Sequence, residues 1–420
     1  MKMKFRSIKG TYDVLPNISN KWKNVEFFIH QYLNRAGYNE IRTPIFENTD
    51  LFKRSVGEDS DVVSKEMYSW VDQGGTNLTL KPEYTASVVR SYIQNNLNSI
   101  SPISKLYYIG DLFRRERPQK GRYRQFRQFG IEAIGSKYSE QDAEIISIAW
   151  NIISELGIQD ITLNLNSIGS SETRKIYRQV LIEYLKPHFD QLSGSSKNRF
   201  NSNPLRILDS KNKSEIEMLK QAPKITEYLS KEDEAHFNEV QQGLRDLNIP
   251  FSLDTNLVRG LDYYSRTTFE IVSNKLGAQD ALCGGGRYDK LVESLGGKPT
   301  PSVGFAAGFE RILLAMDDDN EPVEKNIKKI YLIGLGDEVR STMITILGQI
   351  RNAGFYIEFD PLRRSIKSQL RESNKLGASI TIILGEKEME EQCVQIKDLS
   401  NGNQQSVSFD SIISYLKSLK

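Results

Sequence analysis

Two cysteines, Cys283 and Cys393, are the only thiols in 420 residues, and they stand far apart. They form neither a disulfide framework nor a metal-ligand spacing, which fits a reducing compartment. Histidine is scarce as well. His30, His188 and His236 have no ligand-like neighbours, so a zinc centre is not expected. No apolar stretch reaches the roughly 18 residues that a membrane-crossing helix needs. The first residues, MKMKFRSIKG, lack the apolar core of a signal peptide. A cytoplasmic protein with no membrane partner is therefore expected. Charge of one sign is missing too: 56 Lys and Arg stand against 54 Asp and Glu, for a net +2. A nucleic-acid partner would have to be held by local patches. Also absent are a Walker A run, HExxH and GxSxG. A nucleotide would have to be bound without a P-loop.

What is present centres on residues 107–135, YYIGDLFRRERPQKGRYRQFRQFGIEAIG. Two β-rich runs, Leu106 to Phe113 and Arg122 to Ile134, flank a turn at Pro118-Gln119-Lys120-Gly121, so a long hairpin is expected. Its tip gathers Arg114, Arg115, Arg117, Lys120, Arg122, Arg124 and Arg127 around one acid, Glu116. Like charges this dense repel one another, and a polyanion would relieve them. Alternation along a strand puts Arg124, Gln128 and Glu132 on one face, with Gly130 leaving a gap. That face reads as the wall of a small-molecule pocket; a solvated basic hairpin is the plain alternative.

Before the hairpin, Trp22, Val25, Phe28, Ile29, Tyr32 and Leu33 recur at helical spacing, and Ser19 can cap that helix. YNEIRTPIFENTDLFKRSVG opens with a short strand broken at Pro44. In LTLKPEYTASVVRSYI, Pro82 ends a strand, Thr85 can cap a helix, and Glu83 sits in the bend as an exposed carboxylate. After the hairpin come a helix over 141–156 and a strand over 161–168. Residues from about 171 to 250 are helical, rich in Lys, Glu, Ser and Asn, and interrupted by prolines; they read as an insertion or simply as a solvated module. In LVRGLDYYSRTTFE, Arg259 and Tyr264 would face opposite ways in one straight strand, so Gly260 must permit a turn if both reach a pocket. Tyr263 and Tyr264 are otherwise core aromatics. In ALCGGGRYDKLV, three glycines weaken a strand unless something approaches the backbone closely. PSVGFAAGFERILLAM predicts a strand and then a helix carrying Arg311, with room left at Ala306, Ala307 and Gly308. Asp317 to Pro322 reads as a linker. Beyond it strands and helices alternate, implying a parallel-type α/β sheet, with Arg363, Lys367, Arg371 and Lys375 as a basic stripe on its second helix.

FRRERPQKGRYRQF with FGIEAIG resembles motif 2 of class II aminoacyl-tRNA synthetases, and LVRGLDYYSRTTFE resembles the signature of the histidyl-tRNA synthetases of bacterial type. The segment 38–57 is similar to motif 1 and the Arg311 segment to motif 3. The resemblance implies an α+β fold. An antiparallel sheet flanked by helices would occupy 1–322, with a helical insertion at about 171–250, and an anticodon-binding α/β domain would occupy 323–420. It implies a ligase that activates L-histidine with ATP and Mg²⁺ and charges tRNA(His), as a homodimer. By the same resemblance, histidine would be held by Glu83, Thr85, Gln128, Glu132, Tyr263 and Tyr264. ATP would be held by Arg114, Glu116, Arg122 and Arg311, with Arg259 and Arg114 catalytic. Arg117, Gln119, Lys120, Arg363, Lys367 and Arg371 would contact tRNA. The family run Leu-Arg-Pro-Glu-Gly-Thr is altered here by Lys81 and Tyr84. A regulatory paralogue of the family, another class IIa synthetase and a bare RNA-binding module are the rivals.

Overall fold

The computed structural model describes residues 5–57, 60–277, 280–316, 328–399 and 401–419. The expected linker at Asp317–Pro322 lies outside them. The chain divides into two compact units, Met1–Pro322 and Val323–Lys420.

In the first unit, eight strands among the described residues make the main sheet: β1 (Asn39–Glu40), β5 (Ser104–Phe113), β6 (Gln125–Ile134), β7 (Ile161–Ser167), β8 (Ser252–Leu253), β9 (Ser265–Ser273), β10 (Ala281–Arg287) and β11 (Ser302–Gly308). Their order is β1-β5-β6-β11-β10-β9-β7-β8. The six inner strands are antiparallel, and only the two-residue edge strands pair in parallel. A small second sheet holds β2 (Phe46–Asn48), β3 (Tyr68–Val71) and β4 (Asn77–Leu80).

Alternation sets which face is core. Phe129 and Ile131 of β6, Phe269 and Ile271 of β9, and Phe305 and Ala307 of β11 pack with the helices Pro16–Arg35 and Ser139–Glu155. Each large apolar chain buried there contributes about 2 kcal/mol. The intervening residues, Gln128, Glu132, Glu270, Gly304 and Ala306, line the cavity on the other face. A slip of one residue would push both carboxylates into the core, so burial pins the register.

Several local expectations are corrected. The first helix is Pro16–Arg35, with Pro16 in its first turn and Ser19 inside it; proline's fixed φ suits that position. Lys65 to Val71 reads as one strand in the sequence, but Lys65 and Glu66 belong to a helical turn, Val62–Glu66, and β3 begins only at Tyr68. The helix after Pro82 begins at Thr85, whose side chain does not cap it. The Glu83 carboxylate accepts from the backbone N–H of Thr85 and of Ala86, both at 2.8 Å, and so does the capping. Ala307 faces the core instead of the cavity. Within 171–250, the last helix, Lys231–Asp246, packs Phe237, Val240 and Leu244 into the main core, so it is no solvated appendage.

The second unit holds β12 (Lys329–Gly334), β13 (Tyr356–Phe359), β14 (Ile380–Leu384), β15 (Cys393–Asp398) and β16 (Gln404–Ser408), in the order β13-β12-β14-β15-β16. β12 pairs in parallel with β13 and β14, and the last two pairings are antiparallel. The sheet is therefore mixed, because the chain returns after β14 through the short helix Glu386–Glu390 and after β15 through a turn, both shorter than the crossover that parallel pairing needs. Lys367, Arg371 and Lys375 are exposed on the helix Ile366–Leu376. Arg363 precedes that helix at φ 56° and does not belong to its stripe.

Candidate active site

One cavity of about 340 Å³ lies over the polar face of the main sheet. Arg114, Arg259 and Arg311, which come from three distant segments, all line it. So do Glu116 and Arg122 beside them, and Glu83, Thr85, Gln128, Glu132, Tyr263 and Tyr264 at other points of the wall. Arg117, Gln119 and Lys120 are exposed between β5 and β6 and stand outside the cavity. Arg363, Lys367 and Arg371 belong to the other unit.

Two expected wall features are absent. Arg124 precedes β6 and turns its stem toward Gly10 and its Nε toward the Glu116 carbonyl, so it does not share the cavity with Gln128 and Glu132. The space over Gly130 is filled by the Tyr108 phenol, so no ligand can use it.

The cationic end is held by neighbouring groups. Arg114 Nε donates to the Pro82 carbonyl at 2.9 Å, and its Nη1 lies 3.8 Å from Glu116. Arg122 Nη1 donates to Glu116 at 3.0 Å. Arg311, on the helix Phe309–Ala315, donates from Nε to the Gly121 carbonyl (3.2 Å) and from Nη1 to the Ala281 carbonyl (2.7 Å). Burial, then the neighbouring Arg122, holds its pKa below the usual arginine value. Anything anionic entering here would relieve that strain of like charge.

Arg259 sits in the loop before β9, and its Nη1 donates to Glu270 at 2.6 Å. Glu270 and Gly284 are cross-strand partners, and the guanidinium lies over Gly284. A Cβ at Gly284 would overlap it. This is the close approach that the glycine run requires. Burial opposes the charge of Arg259, but Glu270 more than offsets it and raises the pKa.

The other end is built on a buried carboxylate. Glu132 accepts from the Thr85 hydroxyl at 2.8 Å, from the Tyr288 hydroxyl, and more weakly from Tyr108 at 3.4 Å. Burial dominates and pushes its pKa up to about 8, against those three donors. Glu83 is also buried, against the expectation of an exposed carboxylate, and burial raises its pKa. The Tyr263 and Tyr264 rings are tilted against each other with centroids 4.7 Å apart, and Tyr288 meets Tyr263 edge-on at 5.7 Å. Burial lifts Tyr264 to about 12, so it keeps its proton.

Lys81 and Tyr84 form a stack. The Tyr84 ring lies on Tyr108 with centroids 4.1 Å apart, and Lys81 Nζ sits 3.7 Å from the Tyr84 centroid. Gly110 lacks the Cβ that would collide with the Tyr84 hydroxyl. Lys81 Nζ also donates to Thr43, and burial lowers its pKa to about 8.

Sequence reasoning missed Tyr108, Glu270 and Tyr288 as parts of this site. Alternation offered a signal for Glu270, whose neighbours Phe269 and Ile271 are core. For Tyr108 and Tyr288, nothing local distinguishes a hydroxyl that meets a carboxylate from a core aromatic.

A family model described as Histidyl-tRNA synthetase matches residues 10–312, and one described as Anticodon binding domain matches 329–419. The chain is 48% identical over 410 residues to the histidine–tRNA ligase of Chloroherpeton thalassium, covering 97% of this chain and 96% of that protein. It is 45% identical over 421 residues to that of Bacillus licheniformis, with 99% of each covered. The crystal structure of apo S. aureus histidyl-tRNA synthetase aligns with a TM-score of 0.83 at 35% identity, over 98% of this chain and 100% of that one.

Proposed function

The chain belongs to the histidyl-tRNA synthetase family, and from that membership we propose that it is a histidine–tRNA ligase. It joins L-histidine to ATP, giving histidyl-adenylate and pyrophosphate, and then passes the histidyl group to the 3′ end of tRNA(His). One observation carries this reading: three guanidinium groups from distant segments share a cavity with a buried carboxylate ringed by hydroxyls.

Activation needs little proton transfer. The histidine carboxylate attacks the α-phosphorus, negative charge gathers on the phosphoryl oxygens, and fixed positive groups lower the barrier. Arg114 and Arg259 flank the α-phosphate, and Arg259 also orients the attacking carboxylate. Arg311, with Arg122, takes the γ-phosphate, while Glu116 aligns the arginines and meets the adenine side. Glu132 and Tyr264 face the two imidazole nitrogens, one as acceptor and one as donor. Glu83, Thr85 and Gln128 receive the α-ammonium. A cavity that hydrogen-bonds both imidazole nitrogens disfavours side chains lacking them by roughly 10⁴-fold.

The nucleotide's Mg²⁺ fits as an ion held mainly by phosphates. Among the described residues no three ligating side chains cluster, while the carboxylates of Glu116 and Glu270 line the cavity. When bound, Mg²⁺ neutralises part of the phosphate charge.

Arg117, Gln119 and Lys120 at the hairpin tip, and Lys367 and Arg371 with Arg363 nearby in the second unit, would meet tRNA phosphates. Exposed Phe46 and Trp70, whose ring centroids lie 6.1 Å apart, form an apolar patch on the small sheet, which supports a homodimer. The cytoplasm is the proposed compartment; among the described residues no helix is long and apolar enough to cross a membrane. Histidine-dependent ATP–pyrophosphate exchange tests the ligase reading. Exchange is expected with histidine and with no other amino acid, and silence would leave a regulator or a binding module.

A further inference from the structure

Arg259 is carried by a loop with a long way to travel. The edge strand β8 ends at Leu253, and both β7 and β9 lie between β8 and β10. Residues 254–259 therefore cross three interstrand spacings, roughly 14 Å, to bring the arginine over Gly284 of β10. Glu270 fixes only the head of that side chain, through the 2.6 Å bond to Nη1. An arginine pinned at its tip alone still has a flexible stem, so the backbone beneath it needs a fixing point of its own.

Asn166 of β7 supplies it. Leu163 and Leu165 face the core, so alternation turns Asn166 to the polar face, opposite Thr268 of β9. Its side chain is buried, at 1% exposure. Asn166 Nδ2 donates to the Leu257 carbonyl at 3.0 Å and to the Thr255 carbonyl at 3.3 Å. Both carbonyls belong to a turn closed by the Leu257 N–H on the Asp254 carbonyl at 3.0 Å. The Asp254 N–H donates in turn to the Leu165 carbonyl, also at 3.0 Å, so the turn is tied to β7 from both sides. Two converging carbonyl oxygens only accept, and the side chain between them has to present two N–H donors. Asparagine does so; aspartate has the same shape with acceptors in their place, and alanine has neither. Either replacement leaves two carbonyls unmet in a buried position.

We propose that Asn166 is a positioning residue for Arg259: its amide fixes the turn 254–257, and that turn sets where the guanidinium stands over the sheet. Asn166 is not part of the cavity wall, so it acts through the loop and not on a bound molecule. With its head paired to Glu270 and its backbone tied to β7 two residues earlier, Arg259 is held at both ends before any ligand arrives. Release of the turn frees one end and spreads the positive charge over several positions. A displacement of about 1 Å at a reacting centre costs on the order of 10²-fold in rate. The bearing on the reaction rests on the ligase reading; the anchoring of the turn does not.

The test uses Asn166→Asp and Asn166→Ala in the full chain, each alone and combined with Arg259→Ala. The alanine variant buries no charge and carries the test if the aspartate variant does not fold. In histidine-dependent pyrophosphate exchange, each single variant is expected to lose on the order of 10-fold or more in kcat, with the histidine and ATP KM near those of the unsubstituted protein. Added to Arg259→Ala, either change should cost less than about 2-fold more, because the group being positioned is already gone. Losses that multiply in full, or an unchanged kcat in the single variants, would overturn the proposal. Deuterium uptake supplies a second readout. It should rise over residues 252–262 while the helix Ser139–Glu155 and β6 keep their rates. A rise spread through the whole sheet marks a general loss of stability and refutes a local anchor. Should the unsubstituted protein catalyse no pyrophosphate exchange, the ligase reading fails separately. Deuterium uptake then decides alone: a rise confined to 252–262 supports the anchor, and no rise or a general one overturns it.

Discussion

The guanidinium of Arg259 lies over the Cα of Gly284, which is itself the cross-strand partner of the glutamate that arginine pairs with, Glu270. A methyl group at 284 would meet the far end of a flexible side chain, whereas one at 285 would meet the Gly304 carbonyl and the Phe305 backbone. Gly284→Ala should therefore fold normally and, with Arg259 in its proposed place at the α-phosphate, lose on the order of 10²-fold in histidine-dependent exchange through the displaced charge. Gly285→Ala should lose about 1–3 kcal/mol of stability from overpacking. Urea titrations and exchange rates on both variants check the split. Matching losses in the two would contradict it.

Burial pushes the Glu132 carboxyl up to about 8, so it changes charge in mildly alkaline solution. Raising the pH from 6.5 to 8.5 ionises it and makes it a better acceptor for an imidazole N–H. The histidine KM should fall several-fold over that window. Glu132→Gln cannot titrate, and its KM should stay flat apart from the ligand's own ionisation. A sloping profile that survives in the glutamine variant rules out this origin.

Glu132→Ala removes the carboxylate proposed to meet the imidazole and leaves the three arginines in place. Histidine binding should weaken more than ATP binding, measured as separate KM values in exchange. Equal losses would refute the assignment of Glu132 to the imidazole.

Asp142 and Arg287 form a fully buried ion pair, with Arg287 Nε donating to Asp142 at 3.0 Å and His236 also against Asp142. Burial opposes the aspartate's charge, but Arg287 prevails and brings the pKa to about 2. Since the folded value lies below the unfolded one of about 3.9, the stabilisation is present above pH 4 and is lost as pH falls toward 2. It amounts to about 2 kcal/mol. Asp142→Asn should flatten that part of the acid limb in denaturant titrations and should also cost stability at pH 7, because it strands a buried guanidinium.

The stack of Lys81, Tyr84 and Tyr108 predicts a graded series. Tyr84→Phe keeps the ring and should be near neutral. Tyr84→Ala should cost about 3–5 kcal/mol by opening a cavity. It should also raise the histidine KM, since Tyr108, on which the ring rests, reaches Glu132. Thermal denaturation and exchange kinetics measure the two effects.

Much of this arrangement was legible in the amino-acid order because period-2 alternation fixes a sheet face wherever the other face is apolar. Gln128 and Glu132 were placed correctly for that reason. Arg124 was not, because it lies one residue before β6, where alternation no longer applies. The glycine run signalled a close approach, but not that Arg259 was what approached. The buried state of Glu83 was illegible, since the N–H groups that satisfy it belong to the helix it caps. The mixed sheet of the second unit escaped because the helix after β14, Glu386–Glu390, keeps the strand–helix alternation while being too short to carry the chain across for parallel pairing.

Arg311 spans two backbone carbonyls, Gly121 at the hairpin turn and Ala281 at the start of β10. The loop that would grip a macromolecule and the strand that floors the nucleotide cavity are thus strapped together by one charged arm. A displacement of residues 117–122 would reach Arg311, and with it the cavity, through the Gly121 carbonyl. On the ligase reading, the grip on the triphosphate and the grip on the macromolecule would share one side chain.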